Sequence, residues 1–231
     1  MTVAIMQPYF LPYVGYWQLM AAVDRFVVYD NIQFTKKGWI NRNRFLRNGA
    51  AAVFTLPVKQ GPHTSSVADR SIADDFEPAA LLNPLAAAYR TAPFFDAVFP
   101  VIQQVVTAAP RNLFAYLHHS LTVVAQYLGI PTPIVVSSTV DADHGLAAEQ
   151  RVLALCGALG ATRYLNSIGG RDLYSARAFA ERGIELKFLR PRLLPYQQYD
   201  HPFVAGLSIV DVMMFNSSDA VREMLGAYDL L

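Results

Sequence analysis

Short apolar runs alternate with amphipathic segments along most of the chain, and this alternation predicts an α/β protein. Residues 3–6 are apolar and end at Gln7-Pro8, so they predict a buried strand. Residues 13–23 have apolar positions at helical spacing, and residues 26–29 predict a second buried strand. Strand, helix and strand in close succession form a βαβ unit, which implies parallel strands. The same rhythm returns after Gly129 and predicts a three-layer fold with a Rossmann-like parallel sheet.

The middle of the chain has a different pattern. Residues 78–89, 94–108 and 112–128 have helical periodicity and are separated by Pro93 and Pro110. They predict a helical insertion at residues 78–128 within a single α/β domain that spans residues 1–231. Ahead of this insertion, Asn48-Gly49 lies between two segments of strand character and predicts a β-hairpin.

Composition restricts the class of protein only broadly. Hydrophobic residues make up 53% of the chain and charged residues 16%, so the lightly charged surface allows self-association into a homo-oligomer. The net charge of +1 gives no indication of nucleic-acid binding. The first ten residues have no basic segment, and no apolar run reaches the roughly 20 residues that a membrane span needs. We therefore expect a cytoplasmic protein without a membrane span.

Polar aromatic side chains crowd the loop after the first predicted strand. Parallel sheets bind ligands at the carboxyl ends of their strands, so this loop is well placed for a site. The tyrosines also have a simpler interpretation as core packing, but their number beside a strand end favours ligand binding. Gly15 allows a ligand or another backbone to approach closely. The candidate ligand-binding residues here are Gln7, Tyr9, Tyr13, Gly15 and Tyr16.

A second candidate segment follows the second predicted strand and interleaves cations, amides and an aromatic ring. A solvated loop would explain the charges, but it has no need of a tryptophan. Arginine can hold phosphate or carboxylate through two N–H groups, and lysine binds phosphate as a point charge. The segment therefore predicts a small-molecule anionic or sugar ligand. Its candidate residues are Lys37, Trp39, Asn41, Arg42 and Arg44.

A third group of candidates, Asn166 with Gly169 and Gly170, links a predicted strand to a predicted helix. Two glycines before a helix form a small anion-binding nest, although the same pair is also common in plain turns. The position at the carboxyl end of a strand adds these three residues to the ligand-binding set.

His201 and Asp211 are the candidate proton-transfer residues. His201 lies in a loop, where an imidazole can act as a general base, although a lone loop histidine more often has no catalytic role. Asp211 lies in an apolar helix, where a carboxylate requires a partner such as Arg42 or Arg44. No histidine spacing predicts a metal site, because the adjacent His118 and His119 point about 100° apart on a helix. The sequence identifies no cofactor.

Several of these segments closely resemble the WbqC-like family, and the resemblance extends over nearly the whole chain. It implies a link to bacterial surface-polysaccharide and modified-sugar biosynthesis and a transferase role. The segments that carry it are residues 5–16, 28–30, 36–43, 164–166 with Gly169-Gly170, and 207–211 with Phe215-Asn216.

The first loop also resembles the His-x-Gly-His segment of nucleotidylyltransferases. Tyr13-Val14-Gly15-Tyr16 has tyrosine where those enzymes have the histidines that hydrogen-bond the reacting phosphate. Tyrosine, with a pKa of about 10, donates a hydrogen bond but carries no positive charge at neutral pH. The resemblance implies a nucleotidylyltransferase-like scaffold more strongly than nucleotidyl transfer itself.

The leading hypothesis is a transferase that acts on a small activated donor or a nucleotide-sugar. We expect acyl or aminoacyl transfer to an amine in bacterial surface-glycan or amino-sugar metabolism. One alternative is a nucleotidylyltransferase on the same scaffold, which would require Mg²⁺ and a nucleoside triphosphate. The other is a non-catalytic protein that binds or scaffolds a biosynthetic partner or a carrier protein.

Overall fold

A six-stranded sheet forms the centre of the computed structural model, which describes all 231 residues. The strand order is β5-β2-β1-β6-β7-β8; all neighbours are parallel except β7 and β8. The remaining two strands, β3 and β4, form a separate antiparallel hairpin. The strands are β1 (Thr2–Met6), β2 (Arg25–Val28), β3 (Arg42–Arg47), β4 (Ala50–Thr55), β5 (Ile134–Val136), β6 (Arg163–Ser167), β7 (Glu185–Pro191) and β8 (Tyr228–Leu230).

Eight α-helices surround these strands, and three of them occupy the segment predicted to be a helical insertion. They are α1 (Val14–Ala21), α2 (Ala79–Tyr89), α3 (Phe95–Val106), α4 (Leu113–Leu128), α5 (Ala148–Ala158), α6 (Ala176–Ala180), α7 (Ile209–Phe215) and α8 (Ser218–Leu225). None of these helices is long and apolar enough to cross a lipid bilayer.

Successive side chains of β1 pack into two different buried clusters, one on each face of the sheet. Val3 and Ile5 lie in a cluster of 12 buried residues with side chains of α5 and α6. Ala4 belongs to a larger cluster of 46 buried residues, which includes side chains of α1, α4, α7 and α8. Because successive residues of a strand point to opposite faces, both faces of the sheet are covered by helices. The predicted three-layer, Rossmann-like α/β fold is therefore confirmed.

The order in which strands are added to the sheet reverses between the neighbouring parallel strands β1 and β6. From β1 the chain passes through α1 to β2 on one side, whereas β6 and β7 lie on the other side. In open parallel sheets the loops at such a reversal diverge and leave a crevice for a ligand. The loop after β1 therefore begins at the position where this fold class binds its ligands.

Two features of the sheet and its connections differ from the sequence-based expectations. The last strand, β8, was not predicted; it pairs with β7 through only three residues at the end of the chain. The segment after β6 is a 3₁₀ helix, Ile168–Leu173, and α6 begins only after Ser175, whose side chain caps it. Gly169 and Gly170 thus lie inside a 3₁₀ helix rather than before an α-helix.

Candidate functional site

A pocket of about 220 Å³, which we call the aromatic pocket, opens beside the loop that follows β1. Tyr9 and Tyr13 from this loop form one part of its wall, and Trp39 and Arg44 form another. These four residues come from the two segments that the sequence singled out after the first two strands. The remaining wall is formed by Pro12, Asn43, Leu193 and Gly206.

Hydrogen bonds to its carbonyl oxygens hold the loop after β1 in place. The side chain of Asn43 donates to the carbonyl oxygens of Phe10 and Leu11, at 3.3 and 2.9 Å. The Ser208 hydroxyl also donates to the Leu11 carbonyl, at 2.7 Å. Leu11 has a φ of 46°, which is unusual for a non-glycine residue and persists only when the surroundings fix it. Strand β3 and the start of α7 therefore fix the shape of the pocket.

The Trp39 ring lies close to two arginines of β3. The guanidinium carbons of Arg42 and Arg44 are 5.7 and 5.5 Å from its ring centroid, within the range of cation–π attraction. Arg42 donates to the carbonyls of Gly38 and Lys37 and so closes the turn that carries Trp39. Arg44 donates to the Gly206 carbonyl at 3.0 Å and itself lines the pocket. Arg42 thus supports the wall, and Arg44 presents its charge to the pocket.

The hydroxyl groups of Tyr9 and Tyr13 have no hydrogen-bond partner within the protein, and both side chains line the pocket. Burial raises the pKa of both hydroxyls, and their mutual proximity raises that of Tyr9 further. Both groups therefore stay protonated at physiological pH. They are available as neutral hydrogen-bond donors to a ligand.

Tyr16, Gln7 and Gly15 support this wall from behind. The Tyr16 ring is only 2% exposed and packs 5.6 Å from that of Tyr9, while its hydroxyl donates to the Gln7 carbonyl at 2.9 Å. A Cβ atom at position 15 would lie 2.5 Å from the Tyr13 ring, so Gly15 makes room for that ring. The close approach expected at this glycine is made by a protein side chain.

Lys37 and Asn41 line a different cavity on the other side of the same segment. Asn41 is buried, and its side chain donates to the Leu56 carbonyl at 2.8 Å. The basic segment predicted as one wall of one site therefore contributes to two cavities.

Asp211 is fully buried beneath this region and does not line the aromatic pocket. Its carboxylate accepts hydrogen bonds from Tyr89, Tyr196 and Gln198, at 3.2, 3.1 and 2.8 Å. The expectation of an arginine partner was wrong, because three neutral donors satisfy the group instead. Burial raises the pKa of this carboxyl to about 6, although the three hydrogen bonds act in the opposite direction.

His201 is exposed and lies against the turn of the β3–β4 hairpin. A Cβ atom at Gly49 would lie 2.8 Å from the imidazole ring, so the two residues are in close contact. The backbone of His201 pairs with Gln198. The side chain does not line the aromatic pocket, and its predicted proton-transfer role remains a prediction.

Asn166, Gly169 and Gly170 also lie outside the aromatic pocket. The Asn166 side chain is buried and accepts a hydrogen bond from the Ser167 amide at 2.7 Å. Its amide nitrogen would lie 2.8 Å from a Cβ atom at position 170, so Gly170 makes room for Asn166. The contacts of Asn166 are therefore with Ser167 and Gly170.

Four wall residues were not among the predicted site residues, namely Pro12, Asn43, Leu193 and Gly206. Pro12 stands in the loop after the first strand that the sequence singled out. Asn43 had a signal in the sequence, because it stands within the basic segment one residue before Arg44. Leu193 and Gly206 belong to a long irregular stretch between β7 and α7 that has no hydrophobic periodicity. Only tertiary structure brings that stretch against β3.

The protein has a mostly parallel sheet that helices cover on both faces, and a pocket opens at the carboxyl end of β1. These features define a Rossmann-like α/β protein with a cavity where this fold class binds ligands. The WbqC-like protein family matches residues 7–223, and the chain belongs to this family. A relative from Mycobacterium tuberculosis (strain ATCC 25618 / H37Rv), "Uncharacterized protein Rv1507c", is 30% identical over 220 residues, which cover 93% of each chain. No solved structure matches the chain significantly. The family membership suggests a biosynthetic role.

Proposed function

We propose that the protein is a transferase for a small activated donor, which it binds in the aromatic pocket. The observation that carries this proposal is the convergence of two tyrosine hydroxyls, a tryptophan ring and an arginine at the carboxyl end of β1. Aromatic rings with hydroxyl tips suit the face and the hydroxyl groups of a sugar or nucleoside, and arginine suits a phosphate or carboxylate. Family membership favours donors used in surface-glycan or modified-sugar biosynthesis.

Acyl or aminoacyl transfer to an amine is the preferred reaction. An amine nitrogen bonds to the donor's carbonyl carbon, the bond to the leaving group breaks, and the amine proton passes to the leaving group or to solvent. The carbonyl oxygen gains negative charge before the leaving group departs, and fixed donors stabilise that charge. Tyr9 and Tyr13 supply such donors, since burial keeps their hydroxyls protonated.

A binding protein without catalytic activity is the second candidate. The observation that favours it is the absence of any histidine or carboxylate from the pocket wall. Nucleotidyl transfer has less support, because Tyr16 occupies one of the two corresponding histidine positions but is enclosed in the core.

Ligand screening by thermal shift tests the pocket directly. Nucleotide-sugars, acyl thioesters and amino sugars are the compounds to screen, since a ligand that binds only the folded state raises the melting temperature. We expect Arg44→Gln to weaken binding of the identified anionic ligand roughly ten- to a hundredfold, as the loss of a charged hydrogen bond predicts. Arg47→Gln is the matched control, because Arg47 is exposed on the same strand.

Equal affinity of the folded Arg44→Gln variant and the wild type would refute the aromatic pocket as the ligand site. Mass spectrometry of mixtures of donor and acceptor then separates the two candidate functions. A transferred acyl group on the amine supports the transferase, whereas saturable binding with unchanged ligands supports the binding protein.

A further inference from the structure

A second and larger cavity, of about 1190 Å³, lies beside the β3–β4 hairpin, and we call it the basic cleft. The whole chain contains four lysines, and three of them, Lys36, Lys37 and Lys59, line this cleft. Arg70 contributes a fourth cation, and none of the lining residues is an aspartate or glutamate. The chain as a whole has a net charge of only +1, so positive charge is concentrated here.

Arg70 is a buried cation without a counter-charge in the wall of the cleft. The residue is 7% exposed, and its guanidinium carbon is 5.0 Å from the centroid of the Phe34 ring. Two of its nitrogens donate to the carbonyls of Lys59 and Pro62, at 3.3 and 3.0 Å, whereas the third, Nε, is buried without a partner. Carbonyl dipoles hold the group in position but do not neutralise it. A buried charge that is not paired in the protein is costly, and an anion in the cleft would offset this cost.

The local backbone accommodates this arginine. A Cβ atom at position 61 would lie 2.5 Å from a guanidinium nitrogen of Arg70, so a glycine is needed there. Lys59 forms the one ion pair at the cleft, with Asp74 at 2.7 Å, but both side chains are well exposed. Exposed pairs contribute little and are screened by salt. The positive field of the cleft is therefore largely uncompensated.

The basic cleft and the aromatic pocket share no lining residue, although one segment of chain forms a wall of both. Lys37 and Asn41 line the cleft, and Trp39 and Arg44 line the pocket. The cleft is also chemically different, because 12 of its 14 lining residues are not hydrophobic. Its wall includes the hydroxyl and amide side chains of Thr35 and Gln60.

We propose that the basic cleft is a separate binding site for a ligand that carries a diphosphate or similarly adjacent phosphate groups. A single carboxylate would neutralise only one of four cations, whereas a diphosphate offers several charges and many acceptor oxygens. Lysines bind phosphate as mobile point charges, and the guanidinium of Arg70 is a fixed one.

Isothermal titration of the full-length protein with inorganic pyrophosphate tests the proposal. We expect saturable binding that is tighter than that of acetate and that weakens as salt is added. The double variant Lys37→Gln, Lys59→Gln should bind pyrophosphate at least about tenfold more weakly, since two of the four cations that line the cleft are lost. Lys187→Gln is the matched control, because it removes the one lysine outside the cleft.

Two outcomes would overturn the proposal. One is the absence of saturable pyrophosphate binding, and the other is an equal loss of affinity in the double variant and in Lys187→Gln. Uridine diphosphate as a second ligand distinguishes the sources of the phosphates. Equal affinity identifies a site for diphosphate alone, and tighter binding that is lost in the Lys37→Gln, Lys59→Gln variant identifies a nucleoside diphosphate site in the cleft. Arg44→Gln should leave pyrophosphate affinity unchanged, so this result is independent of the function proposed for the aromatic pocket.

Discussion

Asp211 shows at the scale of a single residue how burial determines the chemistry of a side chain. Its carboxyl group is enclosed among Tyr89, Tyr196 and Gln198, with no cation as a hydrogen-bond partner. The folded protein raises the pKa of this group from 3.8 to about 6, chiefly through burial. The folded state therefore holds its proton more tightly than the unfolded state does.

This pKa shift predicts a loss of stability as pH rises from about 4 to 6. In that window the unfolded state has released the proton and the folded state still holds it, so unfolding releases a proton. The full contribution is on the order of 3 kcal/mol, from about two pKa units at 1.36 kcal/mol each. Urea unfolding at several pH values should show this contribution in the wild type and its absence in Asp211→Asn.

Asp75→Asn is the control, because Asp75 is exposed. It should retain the pH dependence of the wild type. A slope between pH 4 and 6 that is the same in Asp211→Asn and the wild type would contradict the assignment, whatever the absolute stability of the variant.

Residue types and their positions after strands were sufficient to predict four wall residues of the aromatic pocket. Tyr9, Tyr13, Trp39 and Arg44 are polar aromatic or basic residues that no core requires at a strand end. The same reasoning placed Tyr16 among the ligand-binding residues, but its side chain is enclosed in the core. In a short loop the direction of each side chain depends on backbone angles, such as the positive φ of Leu11, that residue type does not determine.

The β3–β4 hairpin contributes residues to the walls of both cavities, Asn43 and Arg44 to the aromatic pocket and Thr55 to the basic cleft. Its turn was predicted from Asn48-Gly49, and both residues have positive φ, 51° and 72°, as a two-residue turn of type I′ requires. Strand β8 was not predictable, because three residues at a chain end give no periodic pattern. Its pairing depends on the exposed edge of β7, which is a tertiary feature.

Asn43 connects this hairpin to the loop after β1, and its removal should affect both stability and binding. The side chain is buried and donates to two carbonyls of that loop. Asn43→Ala removes both hydrogen bonds, and only the Leu11 carbonyl keeps another donor, the Ser208 hydroxyl, so the free energy of unfolding should fall by about 2–3 kcal/mol. Urea unfolding measures this loss, and the thermal shift produced by a ligand of the aromatic pocket should also decrease.

Asn83→Ala provides the comparison, because Asn83 is exposed on α2 and alanine is the better helix former. This variant should be as stable as the wild type or slightly more stable. Equal stability of Asn43→Ala and Asn83→Ala would show that the loop does not depend on the hairpin.

At the scale of the whole molecule, the helices α2–α4 share one buried cluster with the sheet. Residues of all three helices belong to the 46-residue cluster that also contains Ala4 of β1 and Trp17 of α1. We therefore propose that the segment predicted as an insertion, residues 78–128, unfolds together with the rest of the chain. Hydrophobic periodicity predicted its helices, but the common core with the sheet involves contacts between distant parts of the sequence.

Leu121→Ala in α4 tests this cooperativity. Leu121 is fully buried, so its truncation should cost about 2–5 kcal/mol of unfolding free energy. If the chain is one unit, tryptophan fluorescence and far-ultraviolet circular dichroism should give a single, coincident transition that shifts to lower denaturant. The control is Leu173→Ala, because Leu173 is 69% exposed. Two separate transitions in the Leu121→Ala variant would identify the helices as an independent unit.

The uneven distribution of lysine has a practical consequence for spectroscopy. The chain has 15 arginines but only four lysines, and three of those lysines line the basic cleft. Reductive methylation with a ¹³C label would give resonances from these four side-chain amines and from the α-amine. Three of the side-chain signals would report on the cleft, while that of Lys187 would serve as an internal reference within the same molecule.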